Sequence, residues 1–291
     1  MRTEQEMMEL ILSTAREDDR VRAVFLGGSR ANPNAPRDCF QDYDVVYLVD
    51  ETASFRENHQ WFRRFGEELI FQFPDDSVLF PSSGDRTGYG CLMQFADGNR
   101  IDLTVRPFSE LSRFLEEDKL ELLLLDKTGT VGNLPSPTDE DYRVQKPSAA
   151  QYMDCCNEFY WVSNYAAKGL WRQELPYAHE MLDHYIRDML MQMLSWYVGV
   201  QTDFSVSVGK CGKYLKNRLS AQEYSRLKKT YASGEYEDIW NALEEMQSLF
   251  RDCALAVGKS LGYSFPEHWH ENVTAFCREI RALPEDAASI R

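Results

Sequence analysis

Apolar positions recur along this chain at two different periods, and the change from one to the other divides it. Near the start, Met7, Met8, Ile11, Leu12 and Ala15 fall on one face of a 3.6-residue repeat, which predicts a helix over 4–17. Short apolar runs follow. "VRAVFLGG" (21–28) reads as a strand closed by a glycine turn, and "YDVVYLV" (43–49) as a second strand. The segment 54–66 predicts a helix with Phe55, Trp61, Phe62 and Phe65 turned inward. "ELIFQF" (68–73) is a short strand. Residues 89–107 form two strands around Asp97-Gly98, a strong hairpin signal. "ELLLLDKTG" (121–129) supplies one further strand.

The pattern then changes. "GNLPSPTDEDYRVQKPS" (132–148) is rich in proline, serine and acids and reads as a linker. Beyond it the helical period dominates, over 148–171, 176–200, 220–233 and 236–262. The expected fold class is α+β: a mixed sheet flanked by helices in residues 1–135, then an α-helical bundle in residues 136–291.

Composition narrows the function classes. Hydrophobic residues make up 43% of the 291, enough for a real core. The formal charge of −15 disfavours general binding to nucleic acid, which depends on Lys and Arg, and RNA nucleotide addition with it. Excess negative charge suits attraction of cations, or simple solubility. No run approaches the ~20 apolar residues of a membrane span. The opening stretch lacks the apolar core of a signal peptide. Seven cysteines without metal-like spacing point to reduced thiols and a cytoplasmic location. The oligomeric state is not legible, and a monomer is the working expectation.

The candidate chemistry lies in "GGSRANPNAPRDCFQDYDVVYLVD" (27–50). Side chains alternate along a strand, so Asp42 and Asp44 point one way and Tyr43 and Val45 the other. Two like charges this close repel, and a hard divalent cation such as Mg²⁺ would relieve them while leaving room for substrate phosphates. Acidic pairs at strand ends are also common as solvated turns. Two neighbours favour the metal reading. Gly28 allows close backbone approach to a ligand, and Ser29 can donate to a phosphate. In "RIDLTVRP", Asp102 lies inside a strand, opposite in face to Ile101, Leu103 and Val105. A carboxylate there is unusual unless paired or bound to metal. If the strands are neighbours, three carboxylates converge.

A glycine–serine turn, Asp-x-Asp and a later strand aspartate resemble the DNA polymerase β-like nucleotidyltransferase superfamily. "GSRAN", "FQDYDVVYLV", "FADGNRIDLT", "DCCNEFYWVSNYAAKGL" and "GKCGKYLK" are together similar to the aminoglycoside 6-adenylyltransferases, which modify streptomycin. The stretch after about residue 265 carries no such motif. The resemblance implies transfer of AMP from ATP to the 6-hydroxyl of streptomycin, with release of pyrophosphate. Asp42 and Asp44 would hold Mg²⁺ on the triphosphate. Asp102 would share a metal and accept the proton of the attacking hydroxyl. Gly28 and Ser29 would grip phosphate. Arg30 would either assist them or form an ion pair outside the site.

The helical half offers further candidates. Asp154, Glu158 and Trp161 share one helical face, and Asp183 lies on the next helix. A polycationic acceptor needs carboxylates and aromatic faces, so Glu158, Trp161 and Asp183 are expected at its site, against the alternative of a solvated surface. Lys210, Lys213 and Lys216 step by three around a glycine-rich helix start. Lys210 and Lys213 are either nucleotide contacts or exposed lysines. Two other readings remain open: the same fold with a different acceptor, and a non-catalytic nucleotide-binding module.

Overall fold

A computed structural model describes residues 1–81 and 87–290. The chain divides into two compact units, Met1–Asp141 and Tyr142–Arg291.

The first unit begins with α1 (Glu4–Glu17). Thr3 caps it: its hydroxyl accepts from the Glu6 amide while the Glu6 carboxylate accepts from the Thr3 amide. Then come β1 (Val21–Leu26), the one-turn α2 (Gly28–Ala31), β2 (Tyr43–Val49) and α3 (Ala53–Glu57). β3 (Glu68–Gln72), β4 (Tyr89–Phe95), β5 (Arg100–Pro107), α4 (Leu111–Glu117) and β6 (Leu122–Asp126) complete it. The six strands form one sheet in the order β3-β4-β5-β2-β1-β6. β2 and β5 run parallel and the other neighbours antiparallel, so the sheet is mixed and the fold is α+β.

One face of the sheet is apolar throughout. Tyr43, Val45, Tyr47 and Val49 of β2 and Ile101, Leu103 and Val105 of β5 pack with Met7 and Ile11 of α1. The opposite face has only a small apolar cluster, Ala23, Phe25, Leu48 and Phe114. Where that cluster ends, the same face of β2 and β5 carries aspartates.

The segment 54–66 departs from the single expected helix. α3 stops at Glu57, Asn58 leaves helical geometry, and a 3₁₀ segment runs from His59 to Phe65. The inward residues are as expected: Phe55, Trp61, Phe62 and Phe65 are all buried. The tighter turn brings Trp61, Phe62 and Phe65 onto the core together, and this packing overrides helix propensity.

The second unit contains α5 (Ala149–Trp171), α6 (Leu175–Glu180), α7 (Arg187–Gln201), α8 (Ala221–Lys229), α9 (Tyr236–Leu261) and α10 (Glu267–Arg281). Ser148 and Ser220 cap α5 and α8 in the same reciprocal way as Thr3. Phe159 of α5 stacks on Phe250 of α9, with ring centroids 3.8 Å apart. The long helix expected over 176–200 contains a wide π turn, Met181–Ile186, between α6 and α7. The glycine-rich stretch from Gly209 is not a helix start. Gly209, Cys211 and Gly212 all have positive φ, and two short 3₁₀ turns take the place of a helix. No helix among the described residues is long and apolar enough to cross a membrane.

Candidate active site

Register brings the aspartates together. In the parallel β2–β5 pairing, Asp44 lies directly beside Asp102. Asp42 is two residues back on the same face. Carboxylate oxygens of Asp42, Asp44 and Asp102 lie within 4.8 Å of one another, and all three residues are partly buried. Three hard oxygen donors at this separation suit a divalent cation such as magnesium. A cationic side chain already occupies the trio. The Arg100 guanidinium donates to both oxygens of Asp102, at 2.7 and 2.6 Å, and lies 3.8 Å from Asp42. Arg100 was not singled out in the sequence. Its signal is the spacing: it precedes Asp102 by two residues and so shares its strand face.

The turn after β1 closes one side. The Gly27 amide donates to the Asp44 carbonyl at 2.8 Å. Gly28 has φ +60, and a Cβ on it would lie 1.7 Å from Oδ2 of Asp44. Only glycine allows the backbone this close to the carboxylate. Gln41 donates through Nε2 to the Ser29 carbonyl and hydroxyl, at 3.1 and 3.2 Å, and so ties the turn to the approach of β2. Arg30 braces the same approach. It donates to the carbonyls of Asp42 and Gln41, at 3.0 and 2.9 Å, stacks 3.8 Å above the Tyr43 ring and pairs with Glu4 at 3.4 Å. Its guanidinium is therefore engaged in holding the aspartate strand.

Glu121 lies beneath this turn. Antiparallel pairing of Leu26 with Leu122 brings it against Gly27, where a Cβ would meet its Oε1 at 3.0 Å. Its Oε2 is buried and makes no hydrogen bond among the described residues. Burial, reinforced by Asp118 and Asp44, pushes its carboxyl up to about 8. No local pattern marks this residue, because only the β1–β6 register creates its surroundings.

The candidates of the second unit divide by environment. Glu158 and Trp161 are exposed on α5. Trp161 retains 58% of its surface, and its indole donates to the Tyr165 hydroxyl at 2.8 Å. Trp161 and Tyr165 line a cavity of about 540 Å³ with Phe276 and Glu279 of α10. Asp183 sits in the π turn with both oxygens engaged. Oδ1 accepts from Arg187 at 2.7 and 3.1 Å, and Oδ2 lies 2.8 Å from His179 Nδ1. Burial acts to raise its pKa, but hydrogen bonds from His179 and Arg187 outweigh it and hold the carboxyl below its usual value. Lys210 lines a second cavity in this unit. Lys213 lies over the Tyr214 ring instead, and Lys216 is exposed.

The sequence model of the family described as Streptomycin adenylyltransferase matches residues 1–280. An aminoglycoside 6-adenylyltransferase of Bacillus subtilis (strain 168) is 40% identical over 282 residues, covering 96% of this chain and 98% of that protein. The enzyme of the same name from Campylobacter jejuni is 39% identical over 266 residues, 91% of this chain and 92% of that protein. That from Staphylococcus aureus is 34% identical over 279 residues, 96% of this chain and 98% of that protein. Similarity of this extent runs through both units rather than through the aspartate motif alone, and the chain belongs to the streptomycin adenylyltransferase family.

Proposed function

We propose that the protein transfers AMP from Mg-ATP to the 6-hydroxyl of streptomycin in the cytoplasm, releasing pyrophosphate and conferring resistance to the antibiotic. Family membership makes the chain an enzyme, a nucleotidyltransferase. The observation that carries the finer reading is the convergence of Asp42, Asp44 and Asp102 on one open sheet face.

The acceptor hydroxyl attacks the α-phosphorus of ATP in line. A new O–P bond forms, the bond from that phosphorus to pyrophosphate breaks, and the hydroxyl proton passes to Asp102. Asp42 and Asp44 would hold magnesium, with Asp102 sharing in the site. When bound, the metal supplies positive charge to the triphosphate and its leaving group. The Gly28 backbone passes so close to Asp44 that a Cβ would lie 1.7 Å from its Oδ2, and Ser29 follows it in the same turn, which supports a phosphate contact there. Glu158 and Trp161, an exposed carboxylate and an exposed aromatic on one helix, support contacts to the cationic acceptor.

The test is pyrophosphate release and AMP transfer with ATP, magnesium and a panel of aminoglycosides. Wild-type protein should turn over streptomycin, and Asp42→Asn and Asp44→Asn should fall by at least about a hundredfold, as loss of a metal ligand worth several kcal/mol requires. Turnover of another aminoglycoside alone would keep the chemistry and change the acceptor. Near-normal turnover in both variants would overturn the metal assignment.

A further inference from the structure

The first unit contains a cavity of about 470 Å³ on the same sheet face as the aspartates. Strand pairing builds its floor. Leu92 of β4 lies opposite Asp102 of β5, and Gly90 lies opposite Thr104, so the floor begins beside the aspartate trio. Gly88 and Gly90 point to this face and carry no side chain, which leaves the space open. A Cβ on Gly90 would meet nothing closer than 3.6 Å, so glycine provides room here rather than an unusual backbone conformation.

Charge in the lining is unevenly matched. Glu117 is held by Arg106 at 2.6 Å and by Arg113 at 2.9 Å, so the cations of this cavity already have a carboxylate. Asp75, on another wall, makes no ion pair among the described residues. Its Oδ2 accepts from the Gly90 amide at 2.8 Å. β3 ends at Gln72, opposite Leu92, and the Gly90 amide lies beyond that last pair. The 3₁₀ turn Pro74–Asp76 takes the place of a strand there. Asp76 pins the turn: its Oδ2 accepts from the Tyr89 hydroxyl at 2.6 Å and lies 3.1 Å from His59 Nε2. Asp75 is thus a half-buried carboxylate, fixed at the cavity wall, with acceptor capacity to spare.

We infer that this cavity seats a guanidinium-bearing ring of the acceptor, with Asp75 as its charge partner and the reacting hydroxyl turned toward Asp102. The direction of attack supports this. β4, β5, β2 and β1 are consecutive in the sheet, so the glycine–serine turn after β1 and this cavity flank the β2 aspartates on opposite sides. In phosphoryl transfer the entering oxygen and the leaving group lie roughly in line across the phosphorus. With the phosphate chain at the turn, the acceptor enters from the β5 side, over this cavity. A carboxylate suits a guanidinium because the planar N–H donors match its oxygens. The Thr104 hydroxyl and the apolar Leu92 offer a hydrogen bond and a contact surface to a hydroxylated ring, and the volume is that of a small-molecule site. The inference rests on the adenylylation reading for the identity of the acceptor and for the place of the phosphates.

Isothermal titration of the full-length protein with streptomycin in the absence of ATP, together with steady-state kinetics for both substrates, tests it. Asp75→Asn keeps the shape and an acceptor for the Gly90 amide but removes the charge. It should weaken streptomycin binding and raise the streptomycin KM by about tenfold, the size of one charged hydrogen bond, with the ATP KM unchanged. Gly90→Val fills the cavity from its floor with a residue suited to a strand, and should weaken streptomycin binding at least as much. Thermal melting checks that each variant remains folded, and either one alone reads the cavity. Unchanged streptomycin affinity in a folded variant, or no streptomycin binding to wild type, overturns the inference. A rise confined to the ATP KM also overturns it and gives the cavity to the nucleotide. If wild type transfers AMP to streptomycin while the variants keep its KM, the inference fails and the enzymatic reading stands. If streptomycin binding depends on Asp75 and Gly90 but no AMP is transferred, the cavity assignment stands and the enzymatic reading fails.

Discussion

Asp44 and Asp102 are adjacent residues in the parallel pairing of β2 with β5, and this single register relation joins two motifs far apart in the chain. It puts a strand carboxylate beside the Asp-x-Asp pair and allows separate roles within one trio. Asp102→Asn should lower kcat by roughly 10²–10⁴, the range of general-base catalysis, with little change in ATP binding. Rapid-quench measurement of AMP transfer together with equilibrium ATP binding checks this. Preserved turnover at saturating acceptor would reduce Asp102 to a structural contact.

Arg100 holds both oxygens of Asp102 and so competes with any metal for that ligand. Arg100→Gln should therefore bind Mn²⁺ in the absence of nucleotide more tightly than wild type, by about tenfold if one charged contact of about 1.5 kcal/mol is removed. Electron paramagnetic resonance of free against bound Mn²⁺ reads the effect directly. Equal or weaker binding would mean that the guanidinium assists the site rather than competing for it.

Gly28→Ala places a methyl group on Asp44 in a left-handed backbone region. The backbone term alone is about 1 kcal/mol, and the clash must be relieved by moving the turn or the carboxylate. Activity should fall much more than thermal stability. A variant with wild-type turnover would show that the close approach is not needed for catalysis.

Glu121 carries a pH signature in stability. Its folded pKa, about 8, lies above the ordinary carboxyl value of 4.5, so the folded state holds a proton that the unfolded state releases. The contribution is fully present below pH 4.5 and is lost as pH rises through 8. Glu121→Gln removes this dependence. Urea unfolding in metal-free buffer should show the variant gaining on wild type as pH rises from 4.5 to about 8, the window set by those two values. Parallel pH profiles would contradict the assignment.

Asp183 and Glu158 should behave differently despite their similar chemistry. Asp183 pairs with Arg187, which is buried, stacks on Tyr231 at 3.9 Å and donates to the Thr230 carbonyl at 2.7 Å. Asp183→Asn weakens the charge balance of that arginine and should lower unfolding free energy by about 1–3 kcal/mol, discounted for partial exposure. Glu158→Gln should leave stability unchanged and raise the streptomycin KM. Chemical denaturation and steady-state kinetics of both variants separate the two. The opposite assignment of effects would return Asp183 to the acceptor site.

Local pattern was sufficient for much of this molecule. The helix at 4–17, the strand at 43–49 and the hairpin around Asp97-Gly98 follow from periodicity and turn chemistry, because these signals act over a few residues. The facing of Asp42, Asp44 and Asp102 follows from strand alternation in the same way. Strand order does not follow from it. Asp102 reaches Asp44 because β5 inserts beside β2 in parallel, a pairing between segments distant in sequence. Glu121 beneath Gly27 likewise arises from a pairing between segments distant in sequence. The break at Asn58, the π turn around Asp183 and the left-handed loop at Gly209 depend on how neighbouring side chains pack. The residues and their alternation are thus written locally, whereas the electrostatic surroundings that give each its chemistry exist only once the strands and helices have been brought together.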